Sequence, residues 1–206
     1  MKSVLISIRP YWVFLIIAQI MGWNTRKRKT VEIRKNYPNT ENWNRSVRIY
    51  CSKDKRSFSK IPKEYQPLME PFLGKVIGEF VCKKMLAVSV REDAPDHFLE
   101  GVTGGSCLTA EELRKYAKKN KGYLNFFKWG ISQLKVYDKP KALSEFIVAS
   151  KLGCCNEGVC CGCPHFEKGN GISIEDDCLA GFDTDAYKPL RRPPQSWCYV
   201  EELDNA

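Results

Sequence analysis

The sequence predicts a mostly β, α+β fold: a small, curved β-barrel carrying helical caps. Three observations predict it. Short segments with two-residue apolar alternation recur along the chain, separated by loops. Only Tyr11–Met21 and Thr109–Lys119 read as convincing helices. There is no strand–helix–strand rhythm and no glycine-rich phosphate loop, which argues against a nucleotide-binding parallel sheet.

Composition bounds the reading. The 206 residues are 43% hydrophobic, enough for one good core. A single domain over 1–206 is expected, with 151–188 as a cysteine-rich excursion inside it. The net charge of +9 suits an anionic partner. Arg9-Pro10 interrupts the apolar start, and the run Tyr11–Ala18 is too short to span a bilayer. A soluble, cytoplasmic protein without membrane association is expected, its ten cysteines reduced by default. Oligomeric state cannot be read from the sequence.

Val4–Ile8 alternates as a first strand, stopped where Pro10 restricts Arg9. Tyr11–Met21 is almost wholly apolar and reads as a buried helix ending at Gly22. Trp23–Arg28 is a basic connection into Lys27–Lys35, around which the functional reading turns. From Thr30 onward Val31 and Ile33 point one way, Thr30, Glu32 and Arg34 the other. Val47–Cys51 is a strand, and Ser52–Tyr65 is expected as an exposed excursion. Gly74–Val81 returns to strand pattern, with Gly78 marking a bulge or a close backbone approach. Phe80–Val90 reads as one bent strand or two paired ones, and Asp93–Gly105 as loop. Thr109 caps the second helix, with Glu112 completing a capping box. An aromatic strand over Tyr123–Tyr137, a turn at Asp138-Lys139-Pro140, a helical turn near Leu143 and a last strand, Trp197–Val200, complete the chain.

Several of these pieces match a known family: Ser3-Val4-Leu5-Ile6-Ser7-Ile8-Arg9-Pro10, Lys29-Thr30-Val31-Glu32-Ile33-Arg34-Lys35 and Gly74-Lys75-Val76-Ile77-Gly78-Glu79-Phe80. Trp129-Gly130-Ile131-Ser132, Tyr137-Asp138-Lys139-Pro140 and Arg192-Pro193-Pro194-Gln195-Ser196-Trp197-Cys198-Tyr199-Val200 add to them. The sequence resembles the ASCH domain family, similar in fold to the PUA RNA-binding domain, and its later segments look like those of phage and prophage members. The resemblance implies a PUA-like barrel with a cleft over the Lys-Thr-x-Glu-x-Arg strand and a role in RNA binding or RNA-linked chemistry. One branch of the family deacylates N4-acetylcytidine with a lysine, a threonine and a glutamate. That lysine falls on Lys29, the catalytic threonine's place is held by Glu32, and Thr30 matches a threonine that is not the nucleophile. Trp23–Arg28 looks like an insertion at the rim of the cleft.

Binding of RNA or a modified nucleoside in a basic cleft is the leading expectation. Arg34 and Lys35, with Lys27 and Arg28, would neutralise phosphates, Arg9, Lys29 and Thr30 would join them in the cleft, Arg191 would extend the basic surface, and Trp129, Trp197 or Trp12 would stack on a base. The alternative is an amidohydrolase acting on an N-acylated pyrimidine nucleoside. There Lys29 would serve as base or nucleophile, Glu32 or Glu79 would shuttle the proton, and Thr30 would position the oxyanion. Spacing alone puts Lys29 and Glu32 on opposite faces of an ideal strand. A third reading is a phage protein that binds a host protein factor. No cofactor is established. Up to four of Cys155, Cys160, Cys163, His165 and Cys178 would suit a tetrahedral structural zinc; a metal-free cysteine-rich loop and a redox switch are the other readings of that segment. Cys51, Cys82 and Cys198 are expected as small buried hydrophobes.

Overall fold

The structure, a computed structural model, describes residues 3–38, 45–148 and 189–202. It begins with β1 (Ser3–Ile8) and α1 (Pro10–Ile17), followed by β2 (Val31–Arg34) and β3 (Arg45–Cys51). Two short helices, α2 (Lys55–Phe58) and α3 (Gln66–Met69), lead to β4 (Val76–Cys82) and β5 (Met85–Arg91). Then come α4 (Asp96–Val102), α5 (Ala110–Tyr116), β6 (Lys118–Asn120), β7 (Tyr123–Gly130), β8 (Ser132–Lys141), β9 (Phe146–Val148) and β10 (Trp197–Glu202).

The strands form two sheets. The larger has the order β8-β4-β3-β1-β10-β9; the smaller is β2-β7-β5, with β6 also pairing β7. Neither closes, since β8 and β9 edge one sheet and β2 and β5 end the other. The expected β-barrel is therefore corrected to an α+β fold with two open sheets. The reason lies at two breaks. Lys83-Lys84 carries the chain from β4 to β5, and Ile131 carries it from β7 to β8, each time into the other sheet. At the second break Gln133 takes a left-handed φ of 49°. Phe80–Val90 and Tyr123–Tyr137 thus each divide between sheets. Alternation reports which way side chains point, not which strand the backbone bonds to.

The middle of the large sheet explains β1. Val4, Ile6 and Ile8 pack under α1 with Val13, Phe14, Ile17, Ile49 and Phe80, whereas Leu5 joins Tyr50, Val76, Phe146 and Val200 on the other face. The strand is covered on both sides. α1 is apolar nearly all round, so it is buried rather than amphipathic, and Gly22 (φ +68°) turns the chain away after it. The smaller sheet packs Ile33, Val90, Leu124 and Phe126 against Leu99 of α4 and Leu113 of α5.

Two expected loops are structured. In 52–65, Asp54 caps α2 by accepting a hydrogen bond from Ser57 N at 3.1 Å, and Ile61 enters the main core, as do Met69 and Phe72 just beyond it. In 93–105, Pro95 precedes α4, which buries Leu99. The capping box of α5 forms as the sequence implies, with Thr109 Oγ1 accepting from Glu112 N at 3.2 Å and Glu112 Oε2 accepting from Thr109 N at 3.1 Å.

Gly78 is a close approach. A Cβ there would lie 2.3 Å from the Lys135 carbonyl oxygen, where the β4–β8 register shifts. Gly78→Ala is expected to destabilise by about 1–3 kcal/mol in urea unfolding, because backbone rather than a flexible side chain must yield. Gly101→Ala, in α4 with open space around it, is expected to be neutral or stabilising by about 0.5–1 kcal/mol. Equal effects of the two substitutions would refute the close approach.

Candidate functional site

A concavity of about 500 Å³ opens where the two sheets meet. β2 supplies its floor, the ends of β1 and α1 one wall, α5 the opposite wall, and Gln195-Ser196 the far rim.

Three charged side chains make the floor, and all are buried: Lys29 at 3% exposure, Glu32 at 8% and Arg34 at 5%. Lys29 precedes β2. Its N–H donates to Leu15 O of α1 at 3.1 Å, while Thr30 and Val31 both donate to Gly105 O. Regular strand geometry starts only at Val31, so the opposite-face expectation for Lys29 and Glu32 does not hold. Lys29 Nζ sits 3.2 Å from Glu32 Oε2, donates to Ser106 O at 2.9 Å, and lies 5.2 Å from the centre of the Trp12 ring. Gly105 (φ +81°) makes this possible, since a Cβ there would lie 2.4 Å from Thr30 Oγ1.

Arg34 completes the cluster from the other side. Its Nε is 3.0 Å from Glu32 Oε1, an ion pair without the angle of a hydrogen bond. Its two terminal nitrogens donate to Ser7 O at 2.8 Å and Ser196 O at 3.3 Å. The guanidinium thus ties β2 of the smaller sheet to β1 and to the segment entering β10 of the larger. Arg34 positions the floor of the concavity and also lines it.

The walls and rim are different in kind. Trp12, Leu108, Ile33 and Tyr116 give apolar and aromatic surface. Burial raises the Tyr116 hydroxyl pKa above its usual value; Arg34 opposes this, Glu32 reinforces it, and the Lys35 backbone and Arg9 oppose it. The phenol is therefore neutral at pH 7 and can donate or accept. Lys35 lies 5.3 Å from the centre of that ring, and Arg9, 71% exposed, pairs with Asp54 at 3.3 Å. Four cations face two carboxylates around the hollow, leaving it electropositive.

Of the residues expected from sequence, Arg9, Lys29, Glu32, Arg34 and Lys35 all line this one concavity. Thr30 does not; it meets Gly105. Trp129 is 0% exposed, within the main core, and Trp197 packs edge-on against Tyr199. Arg191 is exposed and outside the lining. Glu79 accepts a hydrogen bond from Ser46 at 2.9 Å and borders a separate hollow with Arg48, Tyr137 and Glu202. Sequence reasoning missed Tyr116 as a site residue, reading it only as part of a helix face. It also missed the Ser106 carbonyl and Asp54, which no periodicity marks.

The expected structural zinc has no site among the described residues. Among the described residues no group of three or more His, Cys, Asp or Glu is placed to hold a metal ion, and the described cysteines Cys51, Cys82, Cys107 and Cys198 are free and dispersed. Cys155, Cys160, Cys163, His165 and Cys178 lie outside the described residues. Among the described residues no helix is long and apolar enough to cross a membrane.

No protein-family model matches the chain, and no curated protein does. Solved structures do. The chain is similar to ASCH from Zymomonas mobilis. The crystal structure of that protein is 15% identical, with 97% of this chain and 87% of that chain covered and a TM-score of 0.48. A serine-to-alanine mutant of it gives 15%, 97%, 88% and 0.46, and a tyrosine-to-phenylalanine mutant 17%, 69%, 77% and 0.43. Likeness at this level does not carry a function across.

Glu32 is the charge both cations depend on. Glu32→Ala is expected to cost about 3–5 kcal/mol in urea unfolding, since it strands two buried positive groups. The exposed pair Glu111–Lys115 supplies the contrast. Glu111→Ala should leave the midpoint unchanged. A Glu32→Ala protein as stable as its parent would refute the floor described above.

Proposed function

We propose that the concavity binds single-stranded RNA or a modified nucleoside. The observation that carries this reading is one hollow of nucleotide size with a buried, ion-paired Lys29–Glu32–Arg34 floor, aromatic walls from Trp12 and Tyr116, and exposed cations Arg9 and Lys35 at its mouth. The aromatic walls supply faces on which a base can stack. Glu32 and the Lys29 ammonium offer an acceptor and a donor to a base edge. Arg9 and Lys35, with exposed head groups, meet the phosphates. Exposed cations at a mouth also speed the approach of a polyanion.

A second reading has one observation in its favour. Lys29 and Glu32 are within 3.2 Å of each other in a shared hollow, the reach that proton transfer between them needs. Hydrolysis of an N-acylated pyrimidine nucleoside would use that pair. Neither Thr30 nor Glu79 lines the hollow, so such a reaction would run without the oxyanion group and second carboxylate the sequence suggested.

Fluorescence anisotropy with a labelled single-stranded RNA across a salt series tests the binding reading. Two phosphate contacts give a slope of log affinity against log salt of about −1.4, and Arg9→Ala or Lys35→Ala each should remove about 0.7 of it. Trp12→Ala should weaken binding by about 1–3 kcal/mol without changing the slope. Absence of RNA and nucleoside binding would overturn the reading, and binding of neither kind with capture of a protein would favour a protein partner. Release of acetate from an acylated nucleoside, abolished in Lys29→Met with ligand affinity kept, would establish the hydrolytic reading instead.

A further inference from the structure

β5 ends the smaller sheet, and its backbone has a direction. Gly130 N donates to Lys84 O and Glu92 N donates to Gly122 O, in the same antiparallel register that pairs β5 with β7. By alternation Leu86, Val88 and Val90 also turn their backbone groups toward β7. Met85, Ala87, Ser89 and Arg91 therefore present theirs outward. Ala94 N takes the Arg91 carbonyl, and no strand among the described residues pairs with this edge. Leu86 is 43% exposed, and Ala87 and Ser89 are exposed beside it. β5 itself holds no proline, no bulge in its register and no charge before Arg91, so it lacks the usual devices that keep an edge strand from pairing.

We propose that β5 is an interface between two copies of this chain, which pair antiparallel about a twofold axis at Val88. The occupant follows from self-complementarity. In that register Ala87 of each copy lies opposite Ser89 of the other, so the outward N–H and C=O groups meet their partners. On the adjoining face Val88 meets Val88 and Leu86 meets Val90, joining the apolar surfaces. Just past the strand ends Lys84 meets Glu92, giving opposite charges twice over by symmetry. Moving the axis to Ala87 sets Lys84 against Val90, and moving it to Ser89 sets Leu86 against Glu92. Only the Val88 register satisfies backbone, apolar and charged positions together. The product is a continuous sheet with the order β2-β7-β5-β5-β7-β2 across the pair.

Sedimentation velocity from roughly 1 µM to roughly 0.5 mM in about 0.15 M salt, with amide exchange read by NMR, tests it. A concentration-dependent dimer is expected. The amides of Ala87 and Ser89 should gain protection as the dimer forms, while those of Val88 and Val90, bonded to β7, are protected throughout. Ser89→Pro removes an outward N–H and leaves the β5–β7 ladder intact, so it should weaken association about tenfold or more with an unchanged circular dichroism spectrum. Lys84→Glu, which sets like charges at both ends of the pair, should weaken it several-fold. A monomer at every concentration would overturn the proposal. So would a dimer whose affinity neither substitution alters, or one that leaves the Ala87 and Ser89 amides unprotected.

Discussion

Glu32 held between Lys29 and Arg34 is the interaction on which the rest of the architecture depends. Taking three charges out of water costs several kcal/mol each unless they are paired and hydrogen-bonded; here both cations pair with Glu32 and both donate to backbone carbonyls. The assignments run to four parts of the chain: Lys29 reaches the loop before α5, its backbone reaches α1, and Arg34 reaches β1 and the approach to β10. Two open sheets that share no backbone ladder are thereby fixed relative to each other. Removing one member would leave the others without compensation, so the cluster acts as a unit rather than as separable pairs.

That rigidity has a consequence for the hollow above it. In the proposed binding, groups already held by partners within the protein would reorganise little, which would keep the ordering cost low. The rim is the opposite. Arg9 and Lys35 are exposed, each held by one neighbour, Asp54 and the Tyr116 ring. A buried, paired floor under exposed cations suits the proposed binding of RNA or a nucleoside. The second hollow, around Arg48, shows the contrast. Arg48 bonds Ser3 and Tyr137 and pairs with Glu202 at 2.8 Å, and burial pushes the Tyr137 hydroxyl up to about 12. Arg48, Glu79, Tyr137, Lys141 and Glu202 there are tied to one another or to the sheet, and they read as a structural network beside β8.

Much of the local structure was legible because local chemistry decides it. The capping box at Thr109 and Glu112, the all-apolar run of α1 and the punctuation at Pro10 and Gly22 are each settled within a few residues. The elements that sequence reasoning lost were those whose apolar residues are sparse: α4 shows one fully buried side chain, Leu99, and the 52–72 segment hides Ile61, Met69 and Phe72 among lysines, serines and prolines. A stripe that thin has no readable period. The barrel was lost for another reason, since closure depends on which strands bond at the edges and every strand involved would alternate identically in a closed or an open sheet.

The sequence by itself determined that Val31 and Ile33 share a face, that Glu32 and Arg34 share the other, and that a cluster of cations surrounds them, because side-chain direction in a strand follows from its two-residue repeat. Tertiary structure decided that this polar face is buried rather than solvated, that Lys29 folds back onto Glu32, and that Tyr116 and Trp12 come to flank them while Trp129 goes into the core. The physical reason is distance along the chain. Lys29 is placed by Leu15 and Ser106, and Arg34 by Ser7 and Ser196, partners far away in sequence that only the packing of one sheet against the other brings within bonding reach.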